Sequence, residues 1–141
     1  MITQIDLNNI TQYAKAVNVY IEGDKQIYPV GEDNFNKICV QWNAMLESAH
    51  IMPAFGVSLH NETVREMKKG VWMEFDFDGQ YSSNGMSYEK LLVAVRPEWM
   101  AFNIVRYTSE RGYDGRCFHY NLGTENMSDF YNTLIDCNKD R

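Results

Sequence analysis

No apolar run in this chain approaches the roughly 20 residues that a bilayer-spanning helix needs. The segment Met1-Ile2-Thr3-Gln4-Ile5-Asp6 has neither the basic start nor the continuous apolar stretch of an export signal. A cytoplasmic address is the expectation. Cysteine is scarce: Cys39, Cys117 and Cys137 are odd in number and widely spaced, which suits reduced thiols rather than a disulfide framework. Without an export signal, the glycosylation-type triplets at Asn9, Asn61 and Asn126 carry no weight. Basic residues are also few, 13 Lys and Arg against 19 Asp and Glu for a net charge of -6, and they form no cluster. That balance disfavours a nucleic-acid backbone or an anionic membrane and leaves a neutral or basic protein, or self-association, as the expected partner. There is no glycine pattern of the phosphate-cradling or dinucleotide type; Asp78-Gly79 and Asp114-Gly115 read as turn or bulge signals. No cofactor is expected.

What is present is apolar residues in quantity, 45% hydrophobic and 13% aromatic over 141 residues, enough for one core in one domain spanning residues 1–141. Leu7, Ile10, Ala14 and Val17 recur at helical spacing behind Asp6 and predict an amphipathic helix over residues 6–17. Residues 19–30 alternate around Gly23-Asp24 and read as a small hairpin. The clearest helix follows Gly31, with Phe35, Ile38, Cys39, Trp42, Met45, Leu46 and Ala49 on one stripe, Asp33 as cap and Pro53 as limit. Phe55, Val57 and Leu59 allow a short strand, and Asn61 a brief capped helix over Glu62–Lys69 that Gly70 ends. A last helix carries Met127, Phe130, Tyr131, Leu134 and Ile135, capped by Thr124 or Asn126, before a frayed tail from Asn138 to Arg141.

Between these helices, Val71–Leu122 reads as a four-strand antiparallel meander. Val71, Met73, Phe75 and Phe77 share one face; Trp72, Glu74, Asp76 and Asp78 share the other. A three-residue Ser83-Asn84-Gly85 turn would set Phe75 against Val93 and Met73 against Val95, with Asp78 opposite Lys90 and Trp72 opposite Arg96. Met100, Phe102, Ile104, Phe118, Tyr120 and Leu122 continue the core face; Asn103, Tyr107, Cys117 and His119 continue the second. The predicted class is therefore α+β: a four-stranded antiparallel sheet, five or six strands if the short segments join it, covered on one face by amphipathic helices in a two-layer sandwich.

The second face carries the chemistry, and most of that chemistry is excluded by distance. Same-face residues two apart on a strand are separated by roughly 6.6 Å, so Glu74, Asp76, Asp78 and His119 cannot converge on a metal, and Cys117 and His119 make a poor nucleophile and base. No catalytic residue is assigned. The reading that survives is a small protein-binding module, of the inhibitor or immunity type, that docks a partner through Trp72, Glu74, Asp76, Asp78, Asn103, Tyr107 and His119 on an open sheet face with an acidic edge. The N-terminal helix or a second copy of the chain would compete for that face. The alternative function is a small-ligand or enzymatic pocket made by a curved sheet around Asn103, Tyr107, Cys117 and His119.

Overall fold

The computed structural model describes residues 2–139. The N-terminal stripe does not run as one helix. Thr3–Gln4 is a short strand, β1, and Leu7–Gln12 is a 3-10 helix whose Asp6 side chain accepts from the Asn8 N–H at 2.9 Å. From Ala14 the chain becomes strand β2, Ala14–Ile21. Val17 and Val19 are β-branched and two apart, and their period of two prevails over the helical spacing inherited from Leu7 and Ile10. Strand β3, Asp24–Pro29, returns through a two-residue turn in which Glu22 and Gly23 have φ of 49° and 88°. The hairpin expected in residues 19–30 is present but begins five residues earlier, at Ala14.

Helix α1, Asp33–Leu46, follows; Glu32, not Asp33, occupies the cap position, and Asp33 sits in the first turn, where a negative charge favours the helix dipole. Then come β4 (His50–Met52), β5 (Val57–Ser58), α2 (His60–Glu66), β6 (Val71–Ser83), β7 (Met86–Val95), β8 (Ala101–Tyr107), β9 (Gly115–Arg116), β10 (Phe118–Asn121) and α3 (Ser128–Lys139). Asn126 Oδ1 accepts from the Ser128 N–H at 3.0 Å, ahead of α3. Asn138 and Lys139 are helical rather than frayed, and the rest of that tail, like Met1, lies outside the described residues.

The main sheet has eight strands in the order β3-β2-β6-β7-β8-β10-β4, with β1 pairing in parallel with the far end of β6. The four-strand meander is its centre, so the expected count of four to six was low because β2, β3 and β4 add to both flanks. The β6–β7 turn is the two-residue Asn84-Gly85 loop, with φ of 51° and 79°, not the three-residue form. That turn alone would put like faces in conflict. The conflict is resolved inside β6: five steps from Asp76 to Tyr81 lie against two from Lys90 to Tyr88, an irregularity containing Gly79. Phe75 consequently faces Leu91 and Met73 faces Val93. The register is two residues from the expected one, and a shift of two preserves every face. Lys90 lies opposite Asp76 rather than Asp78, and Trp72 opposite Ala94, although the Arg96 guanidinium still sits 5.5 Å from the Trp72 ring.

The core face is assembled on Trp42 of α1, which is fully buried and meets Phe75 of β6, Phe102 of β8 and Phe130 of α3 edge-on at 5.2, 5.6 and 5.5 Å. Its Nε1 has no hydrogen-bond partner among the described residues, so packing alone holds the ring. Among the described residues no helix is long and apolar enough to cross a membrane. Trp42→Ala is expected to cost about 3–5 kcal/mol in urea unfolding. Val40→Ala, on the exposed side of the same helix, should change stability by less than about 0.5 kcal/mol.

Candidate functional site

The second face of the sheet is not open along its length. Helix α2 and the loop from Thr108 to Gly115 lie over it, and Met67, Trp72, Leu92 and Tyr113 form a second buried apolar cluster with Tyr20, Ala94, Val105 and Tyr107 packed at its margin. The cover is built from long-range contacts. Asp114 Oδ1 accepts from the His60 N–H at 2.6 Å, capping α2 from 54 residues away, where local reading expected Asn61. The Tyr113 N–H donates to His60 Nδ1 at 3.1 Å, and the two rings stack at 5.7 Å. Gly112, with φ of 63°, passes so close that a Cβ there would collide with the His60 ring. Only glycine fits that position.

Under the cover lies Glu74. It is fully buried, and its carboxylate accepts from Asn18 Nδ2 at 3.0 Å and Tyr20 OH at 3.1 Å on one oxygen and from Tyr113 OH at 2.6 Å on the other. All three donors are neutral. Burial and then the neighbouring Glu74 charge raise both phenols well above the ordinary tyrosine value, so at neutral pH they are protonated and able to donate. Residue alternation placed Glu74 in a solvated acidic row; the 108–115 loop, invisible to alternation, takes it out of water and removes it from the exposed part of the face.

The other candidate residues fall on either side of this cover. Asp76 and Asp78 lie towards the far end of β6, Asp76 half-buried and opposite Lys90, Asp78 exposed and accepting from Tyr81 OH at 2.9 Å. Tyr107 belongs to the cover: its ring is 4.9 Å from Tyr113 and 4.9 Å from the Lys90 ammonium. Cys117 is buried, and burial pushes its thiol up, so it is not a ready nucleophile. Cys39, pushed up to about 11 by burial, is equally inert. Asn103 and His119 are directly paired across β8 and β10, with Asn103 Oδ1 2.6 Å from His119 Nδ1. The four residues Asn103, Tyr107, Cys117 and His119 therefore do not line one cavity. Among the described residues no group of three His, Cys, Asp or Glu side chains could hold a metal ion.

At the Asn103–His119 end the face opens into a concavity of about 540 Å³, with Trp72, Ala94 and Val105 on its floor and Phe55, Glu98, Trp99 and Met100 around it. Phe55 is 66% exposed, with its ring 5.5 Å from that of His119; Trp99 is 41% and Met100 49% exposed. Gly56, at φ of 84°, allows this loop to approach Asn103 Nδ2, which a Cβ would meet at 3.1 Å. Trp99 is held by its N–H to Arg96 O at 3.1 Å, and the Arg96 guanidinium lies 5.5 Å from Trp72 and 5.7 Å from Trp99. Next to Phe55, the segment 51–59 exposes Ile51, Met52, Val57 and Leu59. Alternation with Val57 and Leu59 predicts Phe55 on a short strand, and Trp99 belongs to no predicted element. The available signal was large apolar residues in segments broken by Pro53 and Pro97, where no core period requires them. No protein-family model, curated protein or solved structure matches the chain.

Tyr113→Phe deletes one bond to a buried carboxylate and is expected to cost about 1.5–3 kcal/mol. Amide exchange should report the loss more strongly in α2 and residues 108–115 than in the central strands. A second expectation concerns alkali. Burial pushes Tyr88 up to about 12 and also raises Tyr20, Tyr113 and Tyr120. Unfolded tyrosines ionise near pH 10, so the unfolded chain loses protons first. Stability is then complete below about pH 10 and falls as pH rises through the folded values, a decline that urea unfolding should record and Tyr113→Phe should flatten.

Proposed function

We propose that this protein is a binding module that docks a protein partner through the concave end of its second sheet face. In this reading α1 and α3 form the layer over the core face, α2 and the 108–115 loop brace the middle of the other, and the Phe55–Trp99–Met100 end is left for recognition. The observation that carries it is exposure. Aromatic and thioether side chains at 41–66% exposure around one concavity, with exposed Met52 paired opposite His119 on β4, form a patch of the kind that marks an interaction surface. Trp, Phe and Met are the residue types enriched at interface centres, and Asn103 and His119 supply polar groups inside the apolar ring. Asp76 and Asp78, with the net charge of -6, favour a neutral or basic partner through steering more than through contact energy. An inhibitor-type or immunity-type role is compatible with this arrangement, and no catalytic group is needed for it.

A concavity of about 540 Å³ also has the size of a small-ligand site, so a small molecule is the competing occupant. Affinity capture from the native extract separates the two. Retention of a discrete protein by the wild type should fall at least roughly 30-fold with Phe55→Ser/Trp99→Ala, the loss expected for interface hot spots. Asp76→Asn/Asp78→Asn should weaken retention less and mainly change its salt dependence. Equal retention by the Phe55/Trp99 variant, with its unfolding midpoint preserved, would remove the docking surface from consideration.

A further inference from the structure

Resting on the docking reading, we propose that the concavity receives an arginine side chain of the partner, its guanidinium stacked on Phe55 and donating to His119 Nε2 and the Glu98 carboxylate. Charge complementarity carries the choice. Of the residues lining the concavity, only Glu98 and His119 are ionisable, and neither Lys nor Arg is among them. The Asn103 amide oxygen, an acceptor, lies 2.6 Å from Nδ1, so the ring proton is assigned to Nδ1 and the acceptor role to Nε2. The His119 side chain makes no other hydrogen bond among the described residues. The Phe55 ring stands tilted against the imidazole with 5.5 Å between centroids and is 66% exposed, which leaves aromatic surface for a cation.

The acceptors at this end are thus a carboxylate at the rim and an imidazole lone pair, set beside the aromatic ring of Phe55, while the Asn103 amide oxygen is taken up by His119. The nearby cation Arg96 does not line the concavity. Its guanidinium nitrogen NH1 donates to Val71 O at 2.7 Å and Val95 O at 3.0 Å while the group lies against Trp72 and Trp99. The protein therefore already holds one guanidinium on the same aromatic wall. A planar, weakly hydrated fork can stack on a ring and donate in its own plane, which a compact, strongly hydrated ammonium cannot, so arginine is favoured over lysine.

The full chain, titrated with N-acetyl-arginine methylamide and followed by NMR of the histidine ring nitrogens and backbone amides, tests this. The free protein should show His119 in its Nδ1–H form. The arginine probe should shift His119, Asn103 and Phe55, binding roughly 3–10-fold tighter than the matching norleucine amide and tighter than the lysine amide. Glu98→Gln, an exposed turn position, should weaken the arginine probe by roughly 2–5-fold and leave norleucine unchanged. An Nε2–H tautomer, equal affinities for arginine and norleucine, or no effect of Glu98→Gln overturns the assignment. Equal affinities combined with loss of captured partner in the Phe55/Trp99 variant leave the docking surface standing without its arginine; unchanged capture removes both.

Discussion

A carboxylate out of water, surrounded by neutral donors, is the constraint on which the second face of this protein is arranged. Glu74 can be buried only if its lone pairs are satisfied, and β2, the neighbour of β6, supplies two of the three donors, Asn18 and Tyr20. The third, Tyr113, comes from a loop that has no strand of its own at that point. Removing Tyr113 would leave an oxygen of a fully buried charge without its donor, and such a group costs far more than an ordinary hydrogen bond returns. The loop is therefore tied down by the carboxylate, and it in turn supplies Asp114 to the start of α2. A seven-residue helix is too short to be stable alone, so α2 depends on that cap and on the cluster beneath it. The order runs from Glu74 to Tyr113 to Asp114 to α2.

That chain of dependence decides where the protein can be approached. Because the cover ends at the Trp72–Val105 margin, the sheet face is closed over Glu74 and Leu92 and open over Asn103 and His119. The core face has no comparable asymmetry. There Trp42 touches rings from β6, β8 and α3, and the aromatic contacts spread over the sheet rather than leaving one end bare. Two cores on opposite faces of one sheet thus do different work: the larger sets the fold, and the smaller sets the boundary of the exposed surface.

How much of this was legible in the sequence follows from the range of each interaction. Alternation within Val71–Leu122 assigned the faces of β6, β7, β8 and β10 correctly, because a strand's period depends only on its own residues. Register was harder. Asn84-Gly85 was read from the right residues, but the compensating irregularity between Asp76 and Tyr81 is marked only by Asp78-Gly79, a turn or bulge signal that does not say how far the register moves, and two turns that differ by one residue could not be separated without that. The stripe of α1 was plain, whereas Leu7–Val17 misled because two short periodicities, helical and then alternating, overlap at Ala14. Nothing local marks Tyr113 as a partner of Glu74 or Asp114 as a cap for His60, since those pairs are 39 and 54 residues apart. Alternation set Asn103 and His119 on one face, where they pair; it carried Phe55 on a strand and Met100 on the core face, whereas both are exposed on loops at the concavity, and Trp99 has no period to place it.

Misplacing Glu74 also bears on the choice between binding and catalysis. An acidic row on an exposed strand invites a reading in charge, and a buried acid among tyrosines invites one in proton transfer. Neither suits Glu74 here: its three partners are all donors, fixed in place, and its side chain is closed off from the concavity by the cover. A catalytic acid or base must reach a reacting atom within hydrogen-bond distance. Cys117 is withdrawn in the same way by burial, and His119 is left with Asn103 but with no nucleophile beside it. Glu74 and Cys117 are thus buried and His119 is paired with Asn103, while Phe55, Trp99 and Met100 stand exposed at one end of the sheet.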